Sequence, residues 1–280
     1  MAILVPGTHT GWNIEKWQKV AESATYQKMV MVPVIDEGDR PYGLLHIRKH
    51  ARVSSSVLSQ TAEGSGLTYS TIIGTPITVT PAGNYVAAAW SENEDAQIDL
   101  NLDDEARGNI EQALAESTDQ SVLTNIQSLT EIMSQASVDA PMLRKGLGRL
   151  IGNTNGVVMP DGKPKIYGIF SHTQYPNLVN IPEVNNAEMR GDSENPYVKG
   201  IWVKGFGFLL LMTTVVANDA NGWHNSLFIP SAFVVAWNVR SRLKRQDDEL
   251  VNRIILYNNL GSAIKHNLRA LALRTTASGL

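Results

Sequence analysis

The chain has 280 residues, a net charge of −3, 43% hydrophobic residues and no cysteine. That content fills a substantial core in one large domain or two intertwined ones, which excludes a disordered or collagen-like chain. The missing cysteine excludes a disulfide framework, a thiolate zinc site, an iron–sulfur cluster and a cysteine nucleophile.

Residues 1 to about 36 mix Trp12, Trp17 and Tyr26 with polar residues. One amphipathic helix is expected around Ile14 to Met29, with Ile14, Trp17, Val20 and Ala24 on one side. The rest reads as an extended arm that must lie on something else. Met1 to Pro6 carries no basic leader and is too short for a secretory signal.

Gly43 to Leu58 and Leu67 to Val86 are rich in Val, Ile, Thr and Tyr, with Gly64-Ser65-Gly66 between them. This pattern predicts a long two-stranded ribbon with a flexible tip. An isolated ribbon is marginally stable in water, so a long one implies a partner surface.

An acidic stretch follows, with Glu92, Glu94, Asp95, Asp99, Asp103, Asp104 and Glu105. From Leu102 to Met133 the period is helical: Leu102, Ala106, Ile110, Ala113 and Leu114, then Val122, Ile126, Leu129 and Met133. The acids suit the positive end of the helix dipole, and Ser117-Thr118-Asp119 is a candidate kink. Asp139-Ala140-Pro141 starts a second helix that closes at Gly152.

Short strands and loops come next. Lys165 to Phe170 is an expected strand, Thr173 to Leu178 a short helix, and Asn185 to Pro196 a polar loop. Phe206 to Val216 and Leu227 to Trp237 read as buried strands. The apolar run Phe208 to Ala217 is about half a membrane span. A soluble protein made in the cytoplasm is expected. Asn238 to Gln246 reads as a basic strand. Glu249 to Leu260 reads as a helix capped by Asp247 or Asp248 and stopped at Gly261, and Ala263 to Thr275 as a last strand.

Motifs of catalysis fail on spacing. Gly156 to Gly162-Lys163-Pro164 has five residues between its glycines and proline after the lysine, where a phosphate loop needs four and Ser or Thr. It reads as a turn. Gly146, Gly148 and Gly152 lie inside a helix, one residue too long for a dinucleotide fingerprint. His46 and His50 stand four apart in the ribbon and read as a solvated pair. The acidic stretch lacks the ligand alternation and central glycine of a calcium loop. No catalytic residue, metal ligand or cofactor is assigned.

The element order is arm, ribbon, long helix, compact α/β region and return elements. It resembles the major capsid protein of tailed phages, an α+β subunit of the Hong Kong 97 fold, which encapsulin shells share. The likeness rests on Ala62-Glu63-Gly64, Leu143 to Leu150, Gly205 to Leu211 and Glu249 to Arg274. The resemblance implies an N-terminal arm over 1–36, an extended loop over 37–80 and a peripheral domain over 81–135 and 237–280. An axial domain would span 136–236. It also implies pentamers and hexamers of a shell, a separate scaffolding protein, a portal, and cement or decoration proteins. Packaged DNA would be contained without sequence-specific binding, in a virion made in the host cytoplasm, with no membrane.

Two other readings stay open: an encapsulin-type compartment around a cargo enzyme, and a soluble α/β enzyme of unrecognised site. Lys49 is the one loop lysine between Lys28 and Lys145, and it reads as solvated rather than cross-linked. The ribbon carries Arg40, Arg48, Lys49 and Arg52, with no acid until Glu63. In the resembled family this loop lies across a neighbour. The expected interface therefore joins these cations, with Glu63 at the tip, to Asp99, Asp103 and Asp104 of an adjacent copy.

Overall fold

The computed structural model describes residues 25, 28–39, 45–50, 74–91, 102–154, 166–185, 202–203, 207–248 and 251–276. At 38–39, 45–50, 74–75, 90–91, 102–106, 183, 185, 202–203, 245–248 and 251–252 the backbone alone is described. The elements run β1 (Asp36–Asp39), β2 (Leu45–His50), β3 (Gly74–Val79), β4 (Ala82–Ser91), α1 (Leu102–Gln127), β5 (Ile132–Gln135) and α2 (Ala140–Asn153). Then come β6 (Tyr167–Ser171), α3 (Tyr175–Val179), α4 (Pro182–Asn185), β7 (Trp202–Val203), β8 (Leu209–Thr213) and β9 (Asn218–Asp219). β10 (Gly222–Phe228), β11 (Phe233–Asp248), β12 (Val251–Ile264) and β13 (Ala270–Thr275) complete an α+β chain.

α1 is a helix because its apolar residues recur on one side. Ile110, Leu114, Ala115, Val122, Leu123 and Ile126 are all buried. It is about 39 Å long at ~1.5 Å per residue. The helix runs undivided through the candidate kink. Thr118 donates its hydroxyl to the Leu114 carbonyl at 2.7 Å, and Ser121 to Ser117 at 2.9 Å. Each hydroxyl is satisfied by the carbonyl one turn back. The helix ends at Gln127, before the expected Met133, which lies in β5.

α1 packs on a four-stranded sheet of order β1-β11-β12-β4. Here one expectation fails. Glu249 to Leu260 is not a helix: Val251 to Ile264 forms β12, antiparallel to β11 and β4 along its length. The β-branched Val251, Ile254 and Ile255 favour the pleat. Burial alternates at Ile254, Leu256, Asn258 and Leu260, facing α1. Asn258 hid that alternation, being polar at a buried position. It donates to Thr118 Oγ1 at 2.8 Å. Gly261 is no helix stop either. It lies where β12 meets the link between β3 and β4, and a Cβ there would stand 2.6 Å from the Thr80 carbonyl oxygen.

A seven-stranded sheet carries the order β5-β13-β10-β6-β8-β7, with β9 paired to β10. Its central strands β6, β10 and β13 are buried on both faces. Ala270 and Ala272 of β13 join the cluster under α1, and Leu271 and Leu273 join the cluster under α2. α2 follows the sequence reading closely. Asp139 caps it by accepting from the Met142 N–H at 2.8 Å, and Pro141 sits in its first turn. It runs one residue past Gly152. Gly146 packs where a Cβ would meet Leu271 Cδ2 at 3.2 Å, so it allows close helix–sheet packing rather than nucleotide binding. The expected strand Leu227 to Trp237 is divided between β10 and β11 by a turn at Pro230–Ala232. The last strand begins at Ala270 rather than Ala263.

β2 and β3 form a separate antiparallel pair, the root of the expected ribbon. Leu67 to Val86 is not one strand, because Ala82–Ser91 pairs with β12 instead. Residues 51–73, and with them the ribbon's tip, lie outside the described residues, as does most of the expected helix Ile14 to Met29.

Candidate functional site

Among the described residues, no group of three or more His, Asp or Glu could hold a metal ion, and no helix is long and apolar enough to cross a membrane. One histidine–carboxylate contact exists. Buried His224 places Nε2 2.9 Å from Asp219 Oδ2 and holds that carboxyl below its ordinary value. The two residues fasten the β9–β10 turn, where Gly222 pairs with Asp219.

The surface of most consequence is a sheet face. α1 covers one side of the four-stranded sheet. On the other side Ile77 and Val79 of β3 cover Val234, Ala236 and Ala263. Beyond them, no described element covers that side. The register sets Arg242 beside Tyr257 beside Tyr85, then Lys244 beside Ile255 beside Ala87, then Arg253 beside Ala89. Arg242, Lys244, Arg253, Ala87 and Ala89 are exposed, and Tyr85 is 77% exposed. Tyr85 is bare, while Ile255 and Tyr257 beside it are half-buried. The sequence reading missed this face, since it placed Arg253, Ile255 and Tyr257 on a helix. The period-two run Arg253, Ile255, Tyr257 was the available signal.

The residues expected at an interface are distributed as follows. Arg48 and Lys49 lie on β2, opposite Pro76 and Thr75. Asp103 and Asp104 lie in the first turn of α1. The two pairs sit on separate elements. Arg40, Arg52, Glu63 and Asp99 lie outside the described residues. His46 and His50 lie on β2, opposite Thr78 and Gly74 of β3.

The arm meets α1 at two places. Lys28 Nζ lies 3.2 Å from Glu111 Oε2 and 3.0 Å from the Gly108 carbonyl oxygen, and Arg107 Nε reaches Glu111 Oε1 at 2.9 Å. Two helical turns on, the buried Asp119 carboxylate accepts the N–H groups of Val30, Met31 and Val32 at 2.6, 3.0 and 3.3 Å. Met29, Met31, Val32 and Ile35 drop into the core beside it.

No protein-family model and no curated protein matches the chain. Solved structures do. The capsid of Ralstonia phage GP4 is similar with a TM-score of 0.67 at 10% identity, over 89% of this chain and 92% of that one. The capsid of cyanophage P-SCSP1u is similar at 0.65 and 14% identity, over 89% of each chain. The virus-like particle from Pyrococcus furiosus is similar at 0.63 and 13% identity, over 94% of this chain and 100% of that one. The arrangement is similar to that of the subunits in these phage capsids and in this virus-like particle. More particularly, the chain has the Hong Kong 97-type fold of phage capsid proteins.

Proposed function

We propose that the chain is a shell subunit, the major capsid protein of a tailed phage, which closes into pentamers and hexamers around a double-stranded DNA genome. The observation that carries this is coverage at both ends. Nearly all of this chain aligns with nearly all of the cyanophage and Ralstonia phage capsid subunits, so no part is left over for a catalytic domain. The protein works by association, not turnover, within a virion assembled in the host cytoplasm. A separate scaffolding protein, a portal and cement or decoration proteins would act with it. DNA is contained rather than gripped, in keeping with the net charge of −3.

In that shell the four-stranded sheet with α1 forms the peripheral region, and the α2-backed part of the seven-stranded sheet forms the axial region. The ribbon cations Arg40, Arg48, Lys49 and Arg52 dock on the acidic segment of a neighbour, at Asp99, Asp103 and Asp104, with Glu63 carried at the ribbon tip. Each exposed pair contributes only ~0–1 kcal/mol, but a closed shell repeats it in every subunit.

A second reading is favoured by the Pyrococcus particle, matched along its whole subunit. In it the chain forms a compartment that encloses a cargo enzyme. Electron microscopy of purified protein tests both. Closed DNA-filled shells support the capsid, cargo-filled shells the compartment, and small discrete particles neither.

A further inference from the structure

Asp119 is a buried acid with an unusual task. It stands mid-helix on α1, and its carboxylate takes three successive backbone N–H groups of the segment Lys28–Ile35. No cation meets it. Lys28, the charge on that segment, is engaged with Glu111 some eight residues away, about 12 Å along the helix. The other charges on α1 near this stretch are Arg107 and Glu111, joined in an ion pair, and Glu116, bonded to Gln112. β12 turns Asn258 and Ser262 toward the helix, both uncharged, and β4 turns Val86 and Ala88. In β10 the one titratable group is His224, held beside Asp219. In β1, Asp36 pairs with Lys265 and Glu37 with Arg240.

The charge of Asp119 is therefore answered by N–H dipoles alone, inside a cluster that contains Met31, Val32, Val122 and Leu123. We infer that Asp119 makes the docking of the Lys28–Ile35 strap on α1 a proton-controlled equilibrium, with the strap held more firmly in acid. Burial raises this carboxyl to about 6 from 3.8, while the three N–H groups pull it down. A detached strap would leave Asp119 in water at its ordinary value. Docking then takes up a proton wherever the docked group is protonated and the free one is not. The docked strap is favoured in full below the ordinary value, and the advantage is lost as pH rises through about 6. Two units correspond to a change of about 100-fold in the docking equilibrium. The neutral carboxyl keeps Oδ1 as an acceptor for Met31 and Val32, while a proton on Oδ2 weakens the Val30 bond, so two of the three contacts survive protonation.

The inference concerns the subunit itself and stands whether or not subunits close into a shell. It is tested by amide hydrogen exchange of the peptide 29–36, normalised to intrinsic rates, with a peptide from α2 as the control for global opening. Opening of the strap should fall on the order of 30-fold between pH ~8 and ~4.5, and Asp119→Asn should flatten that dependence. A flat wild-type profile, or the same slope in the variant, overturns the inference. Should the variant fail to fold, the carboxyl carbon-13 titration of Asp119 in the wild type decides. A midpoint near 6 supports the switch, and one at or below ~4 refutes it.

Discussion

Replacing Gly261 by alanine should displace the ribbon without melting the sheets. The added Cβ would lie 2.6 Å from Thr80 O, 2.8 Å from Thr80 C and 2.8 Å from Val79 Cγ1, where real Cβ contacts closer than 3.0 Å essentially never occur. Two of these three atoms are backbone, so no rotamer change relieves the clash. Thr80 must withdraw by most of an ångström, and Thr80 links β3 to β4. Its retreat lifts Ile77 and Val79 off Val234, Ala236 and Ala263 and changes the angle at which the ribbon leaves the sheet. Overpacking of this kind costs about 1–3 kcal/mol, which lowers Tm by roughly 3–10 °C in a chain of this size. The assays are differential scanning calorimetry and electron microscopy. The variant should stay folded, melt earlier and give malformed or open assemblies where the wild type gives closed ones. Wild-type Tm together with normal particles would refute the argument that close backbone approach, not chain flexibility, requires glycine here.

Three further outcomes are expected. Leu114→Ala empties a fully buried position against Ile110, Ile254 and Leu256 and should cost about 2–5 kcal/mol in chemical denaturation, with poor soluble yield. Asp139→Ala removes the cap of α2 and should cost about 0.5–2 kcal/mol, with Asp139→Asn recovering most of it. Reversing Arg48 and Arg52 to Glu should leave a folded monomer that does not assemble, and reversing Asp103 and Asp104 should partly restore assembly. Rising salt should slow wild-type assembly, since screening is strong beyond about 10 Å at 0.1 M. Normal assembly of the double reversal alone would dismiss the ribbon-docking proposal.

The long helix, the capped second helix and the β2–β3 root were legible because each is written locally. α1 repeats its apolar residues every three or four positions in two runs, 102–114 and 122–126, and α2 carries Asp139 and Pro141 at the places a helix start demands. The absence of cysteine and the mismatched glycine spacings were equally plain, and they turned the reading away from catalysis before any fold was known. The candidate site was legible only as two clusters of opposite charge. Whether they meet depends on a second copy, which lies beyond what one chain encodes locally.

What the sequence could not determine was settled by contacts far apart in the chain. Glu249 to Leu260 reads as a helix alone, because Ile255 and Tyr257 are apolar on the open face while Asn258 is polar on the buried one. Only pairing with β11 and β4, and the Thr118 hydroxyl waiting across 140 residues, make it a strand. Asp119 looked like part of a helix break. Tertiary structure made it the acceptor that holds the arm, through backbone N–H groups that no residue pattern announces. Local propensity and period are properties of neighbours in sequence. The open face of Tyr85, Tyr257 and Arg242, by contrast, exists only once β4 lies beside the β11–β12 pair far later in the chain, and hydrogen-bond register sets them side by side.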